Sequence, residues 1–153
     1  MYLRLMIINK SGGLVYNQDL APQVAKIDSN DWLRIGSTFH SLHAIATQMA
    51  PVRSGGITSI ETSRFALRCF QTRTGIKFVL SADRGAPSLD ALLRMVYELY
   101  TDYVLKNPFS EPEQPIHAQL FTHHVTQLFE SMHETGTPAK AKHEYFTQIR
   151  TGR

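Results

Sequence analysis

The chain has 153 residues, 42% of them apolar, one cysteine and a net charge of +3. At that length a single domain buries roughly two-thirds or more of the surface its unfolded chain exposes, so no metal or disulfide staple is required; Cys69 alone excludes an intrachain disulfide framework and fits a reducing compartment. Residues 1–136 carry 12 basic and 12 acidic side chains, and the excess lies in Lys140, Lys142, Arg150 and Arg153 against Glu144, so the body lacks the basic face of a nucleic-acid binder.

The first segment, YLRLMIIN from Tyr2, reads as a strand with Leu3, Leu5 and Ile7 on one side and Met6 and Ile8 on the other. Apolar residues on both faces imply a central strand covered on both sides. Lys10-Ser11-Gly12-Gly13 turns the chain, and Leu14–Asn17 returns as a second strand of a hairpin. The start is too short in apolar residues for a secretory signal, and no segment approaches the roughly 18 apolar residues of a membrane span. A soluble, cytosolic protein is expected.

After a link containing Pro22, any of Asp28, Ser29, Asn30 and Asp31 can cap a helix. Ile35, Phe39, Leu42, Ala46 and Met49 then step by four, three, four and three, an apolar stripe ending before Pro51. Trp32 lies near the edge of that stripe. Beyond the turn Arg53-Ser54-Gly55-Gly56, three strands follow: Ile57–Thr62, Ser63–Gln71 and Gly75–Ala82. In the second, Phe65, Leu67 and Cys69 share a face. In the third, Ile76, Phe78 and Leu80 share one, opposite Lys77, Val79 and Ser81, with Lys77 expected to face solvent or a partner. Ser88 can cap a second helix through Leu89, Leu92, Val96, Leu99 and Tyr103, which must stop before Pro108. Phe121, Val125, Leu128 and Met132 mark a third.

The order β-β-α-β-β-β-α-α implies an α+β fold: one five-stranded antiparallel sheet with helices packed on its faces. One domain is expected over residues 1–133, followed by a basic, weakly structured tail over 134–153.

Groupings that could carry chemistry are sparse. Gly75 and Lys77 suggest a phosphate loop, but the glycine lies between strands and the spacing of a phosphate-cradling loop is missing. A hairpin turn at Gly75 fits better. His40 and His43 share one side of the first helix without the further ligands a metal site needs. Cys69 sits mid-strand, where a small buried hydrophobe is usual. No pair of carboxylates forms a general acid and base. Neither a catalytic centre nor a metal or cofactor site is expected.

The segments NKSGGLVYN (Asn9 to Asn17), CFQTRTGIKFVLSAD (Cys69 to Asp83), LLRMVYELYTDYVLKNPF (Leu92 to Phe109) and PIHAQLF (Pro115 to Phe121) resemble the synbindin-like small subunits of the TRAPP vesicle-tethering complex. The resemblance runs to about Met132 and implies a longin-like (SNARE-like) fold. The sister small subunit shares TGIK and KNP and is the main competitor; another longin-type trafficking module, such as an adaptor small chain, is a further alternative. Only the short link Gln18 to Asn30 stands where animal and yeast synbindins carry an insertion. The resemblance implies a non-enzymatic subunit in endoplasmic-reticulum-to-Golgi traffic, within an assembly that promotes nucleotide exchange on a Rab GTPase. Implied partners are the acyl-binding subunit, the sister small subunit and, through the complex, the Rab; the implied location is cytoplasmic, peripheral to endoplasmic reticulum and cis-Golgi membranes. Expected partner contacts are Trp32, His40 and His43 on the outer face of the first helix, with Arg68, Lys77, Lys106 and Asn107. Gly75 is assigned to the hairpin turn. Pro108 is assigned to ending the second helix, with Phe109 covering that end.

Overall fold

The computed structural model describes residues 1–136 and Thr147. The strands are β1 (Tyr2–Ile8), β2 (Leu14–Asp19), β3 (Ser59–Glu61), β4 (Phe65–Gln71) and β5 (Lys77–Asp83); the helices are α1 (Ser29–Met49), α2 (Leu89–Tyr100) and α3 (Gln119–Thr135). They alternate in the expected order. The strands form one antiparallel sheet in the order β2-β1-β5-β4-β3. Helix α1 carries the chain from the β2 edge to the β3 edge, because antiparallel hairpins occupy the centre. Most of the expected basic tail falls outside the described residues.

Both faces of the sheet are covered, as the two apolar sides of β1 require. Leu5 and Ile7 pack with Phe78 and Leu80 of β5 against Leu92, Val96, Phe121 and Leu128 of α2 and α3. Met6, Ile8, Cys69 and Val79 point the other way, toward Trp32 and Phe39 of α1. Each such aliphatic side chain taken from water contributes about 1.5–3 kcal/mol, so the two-sided β1–β5 pair anchors the fold. Phe78 is packed edge-on by Tyr97 and Tyr100, with ring centroids 5.7 and 5.3 Å away.

The ends of the helices depart from the expectations in two places. Ser88 occupies the capping position of α2, but its backbone is left-handed (φ 61°) and its side chain makes no capping hydrogen bond. Beyond Tyr100 the helix widens into a π-helical turn, Thr101–Leu105. The chain then turns at Asn107, whose Oδ1 accepts the Phe109 N–H at 3.0 Å. Phe109 does not cover the helix end; it is 92% exposed.

Candidate functional site

Helix α1 has two apolar stripes, and the sheet takes the aromatic one and leaves the aliphatic one outside. Trp32, Gly36, Phe39 and His43, at steps of four, three and four, are buried against the sheet. Gly36 permits that approach: a Cβ there would lie 3.3 Å from Leu14 on β2. Ile35, Leu42, Ile45 and Met49 are left 39%, 47%, 50% and 78% exposed. The apolar stripe read from the sequence is therefore largely at the surface, with Phe39 as its one fully buried member. Within the helix, positions 35, 38, 42, 45 and 49 step by three, four, three and four, the spacing of a helix seam that packs on another helix. Thr38 is its one polar member.

The polar residues of α1 explain why the other stripe turns inward. Gln71 and Lys77 are opposite one another on β4 and β5. His43 Nε2 lies 2.7 Å from Gln71 Oε1, and its Nδ1 accepts the Ile57 N–H at 3.2 Å. The Ile57 donor fixes Nδ1 as the acceptor, so the proton sits on Nε2 and is donated to Gln71. One turn earlier, Lys77 Nζ donates to His40 Nδ1 at 3.3 Å and to the Gly75 carbonyl at 3.4 Å. Burial pushes the Lys77 ammonium below its ordinary range. Burial, then the Lys77 charge, then His43, hold His40 below the usual histidine value. Burial raises the Cys69 thiol to about 11, with Lys77 opposing, so it stays a thiol.

The expected contact residues thus divide. Trp32 and His43 are buried beneath α1, His40 is half-buried, and Lys77 is only 3% exposed. None of these four lies on the outer face. The alternation of β5 does put Lys77 opposite Phe78, but α1 covers that side. Arg68 is half-buried and 3.7 Å from Glu61. Lys106 is exposed and pairs with Asp102 at 3.2 Å; Asn107 shapes the turn beside it. Gly75 has φ 90° and its N–H donates to Thr72 O at 3.1 Å, a hairpin turn as expected. Ile35, Leu42 and Met49 of the apolar stripe, with Ile45 beside them, make up the surface seam. The excess of apolar positions on α1, more than one face can bury, was the signal for it.

No group of three or more His, Cys, Asp or Glu suited to a metal ion occurs among the described residues. Nor is any helix among them long and apolar enough to cross a membrane.

A family model described as the Sybindin-like family matches residues 2–132. Trafficking protein particle complex subunit 4 of Dictyostelium discoideum is 52% identical over 126 residues, covering 81% of this chain and 93% of that protein. The human protein of the same name is 45% identical over 113 residues, covering 73% of this chain and 52% of the human one. Trafficking protein particle complex subunit 1 of Rattus norvegicus is 31% identical over 94 residues, covering 60% of this chain and 65% of that protein. The chain therefore spans nearly all of the Dictyostelium relative and about half of the human one.

Proposed function

Because the chain belongs to the Sybindin-like family, we propose that it is a non-catalytic core subunit of a TRAPP-type vesicle-tethering complex. In this reading it acts in endoplasmic-reticulum-to-Golgi traffic, in the cytoplasm at the surface of those membranes. It supplies part of the surface that promotes nucleotide exchange on a Rab GTPase. The partners are the sister small subunit and the acyl-binding subunit.

The observation that carries the reading is the exposed seam of α1. A free-standing domain gains nothing from Ile35, Leu42, Ile45 and Met49 in water, whereas a subunit buries them against a neighbour. The seam has the spacing that suits packing on another helix, and we assign the sister small subunit to it. Subunit 4 relatives at 45–52% identity against 31% for subunit 1 favour the first of the two small-subunit identities.

Exchange requires no bond chemistry from this chain. A GTPase holds nucleotide through its own phosphate loop, magnesium and ordered switches. An exchange factor speeds release by binding the open, nucleotide-free form more tightly than the loaded one. Shape and a few polar contacts suffice.

Co-expression with the sister small subunit and the acyl-binding subunit tests the proposal. A stable ternary species on size-exclusion chromatography is expected, dissociated by Leu42→Asp. A chain that stays monomeric beside both partners overturns it.

A further inference from the structure

On the sheet face opposite α1, a cavity of about 290 Å³ opens between the β1–β2 turn, the π-helical turn and the link leading to α3. Val15, Ile76, Val104, Leu105 and Ile116 give it apolar walls. Asn9 and Tyr100 also line it, and both are more than nine-tenths buried. Asn9 Oδ1 accepts the Gly13 N–H at 2.7 Å, which leaves the side-chain amide N–H groups without an acceptor among the described residues. The Tyr100 hydroxyl likewise has no hydrogen-bond partner there. Neither donor is sealed from solvent, so water serves both in the free chain, and an incoming acceptor takes the place of that water.

The surroundings identify what arrives. A second hollow of about 330 Å³ adjoins the first, sharing Ser110, Glu111, Gln114 and Ile116, and Phe109 lines it. Leu105 and Phe109 stand exposed beside the two. A small molecule confined to the first cavity would touch Leu105 but leave Phe109, which lines only the second hollow, in water. An extended polypeptide would not: its alternate side chains, roughly 7 Å apart, reach successive hollows from one face. Its backbone carbonyls are the acceptors that Asn9 and Tyr100 lack. Glu113 is engaged by the Ser11 hydroxyl, the Glu111 carboxylate has no ion pair among the described residues, and Lys10 is the one cation of the lining, so the rim is net negative and favours a basic side chain on the incoming segment.

We propose that this groove, from Asn9 and Tyr100 to Phe109, binds an extended segment of a partner protein carrying two apolar anchors and a flanking Lys or Arg. The walls belong to the core cluster of α2 and α3, so an occupant does not compete for the α1 seam.

Selection of a random peptide library displayed on phage against the whole chain tests this, with the selected peptides resynthesised and measured by fluorescence anisotropy. Enrichment of sequences with two apolar anchors and a basic residue is expected. Phe109→Ser, which removes an exposed side chain and leaves the core intact, should weaken them about tenfold. Tyr100→Phe, which deletes only the hydroxyl, should weaken them several-fold, and Leu42→Asp on the opposite face should change nothing. No enrichment overturns the proposal, as do peptides indifferent to both Phe109→Ser and Tyr100→Phe. Peptides lost with Leu42→Asp place the binding on α1 and overturn it too. Tighter binding of 3-phenylpropanoate than of any selected peptide would make the cavity a small-molecule site instead.

Discussion

Gln71 and Lys77 stand opposite one another on β4 and β5, and each is met by a histidine of α1, three residues apart. This polar brace, together with Trp32 and Phe39, sets the rotation of α1. Turning Leu42 and Ile45 inward would bring Trp32 and Phe39 out in exchange, would turn His40 and His43 into water, and would leave Lys77 beneath the helix without His40. A buried ammonium left with only the long bond to the Gly75 carbonyl costs more than a half-exposed leucine recovers. Sequence leads to packing here through hydrogen bonds, and packing leaves the seam free for a partner.

The brace has a measurable weight. His43→Ala removes an aromatic side chain from the interface and leaves Gln71 and the Ile57 N–H unpaired, for an expected loss of about 2–4 kcal/mol. Urea denaturation followed by circular dichroism measures it. A loss under about 1 kcal/mol would mean that the histidine merely fills space.

Lys77→Met is expected to stabilise the chain near neutral pH by about 1–3 kcal/mol, because it removes a buried charge that has no carboxylate partner and keeps the hydrocarbon stem. The pH dependence follows from the directions of the shifts. Lys77 is lowered from 10.5, so the unfolded chain holds that proton more tightly; the penalty persists at low pH and is relieved as pH rises from the folded value to 10.5. His40 is lowered from 6.5, so its contribution is complete above 6.5 and is lost as pH falls from there through the folded value. Melting temperatures at about pH 7.5 and about pH 5.5 should therefore differ less in Lys77→Met, where one of the causes lowering His40 is gone. Equal acid sensitivity in both proteins would exclude the coupling.

Ile45→Asp probes the seam from the other side. Half-exposed in the isolated chain, Ile45 should tolerate the change with a stability cost within about 0.5–1 kcal/mol. Assembly should suffer far more, since a carboxylate centred in an apolar helix face costs at least about 2 kcal/mol when buried against a partner. Unfolding midpoints of the lone chain and co-purification yields with the sister subunit separate the two effects. Loss of folding in the lone chain would show that the seam is internal.

Much of this was legible in the residues. The alternation in β1 and β5 gave the two-sided sheet, and Gly75, at φ 90°, sits where its turn requires. Periodicity could not choose between the two stripes of α1. Hydrophobicity does not separate aliphatic Ile35, Leu42 and Met49 from aromatic Trp32 and Phe39, and the polar partners that His43 and Lys77 find across the helix–sheet gap favour the second set. Lys77 misled for the same reason: alternation gives the face of a strand, and whether a helix lies over that face is decided by chain elements far away. The cavity by Asn9 and Tyr100 was not legible, because it joins the hairpin turn to a link about 100 residues downstream.

Ser88 separates a capping role from backbone strain. If its side chain capped α2, Ser88→Gly would lose at most a few tenths of a kcal/mol and Ser88→Ala about 1 kcal/mol. Its hydroxyl makes no such bond, however, and its φ of 61° lies where glycine is unstrained and an L side chain is not. Ser88→Gly is therefore expected to raise stability by about 0.5–1 kcal/mol, the relieved strain exceeding the added freedom of the unfolded chain. Ser88→Ala keeps the strain and loses no hydrogen bond, so it should be nearly neutral. Chemical denaturation of both variants decides the matter. A destabilised Ser88→Ala would restore the cap, and a destabilised Ser88→Gly would show that the left-handed turn carries no strain.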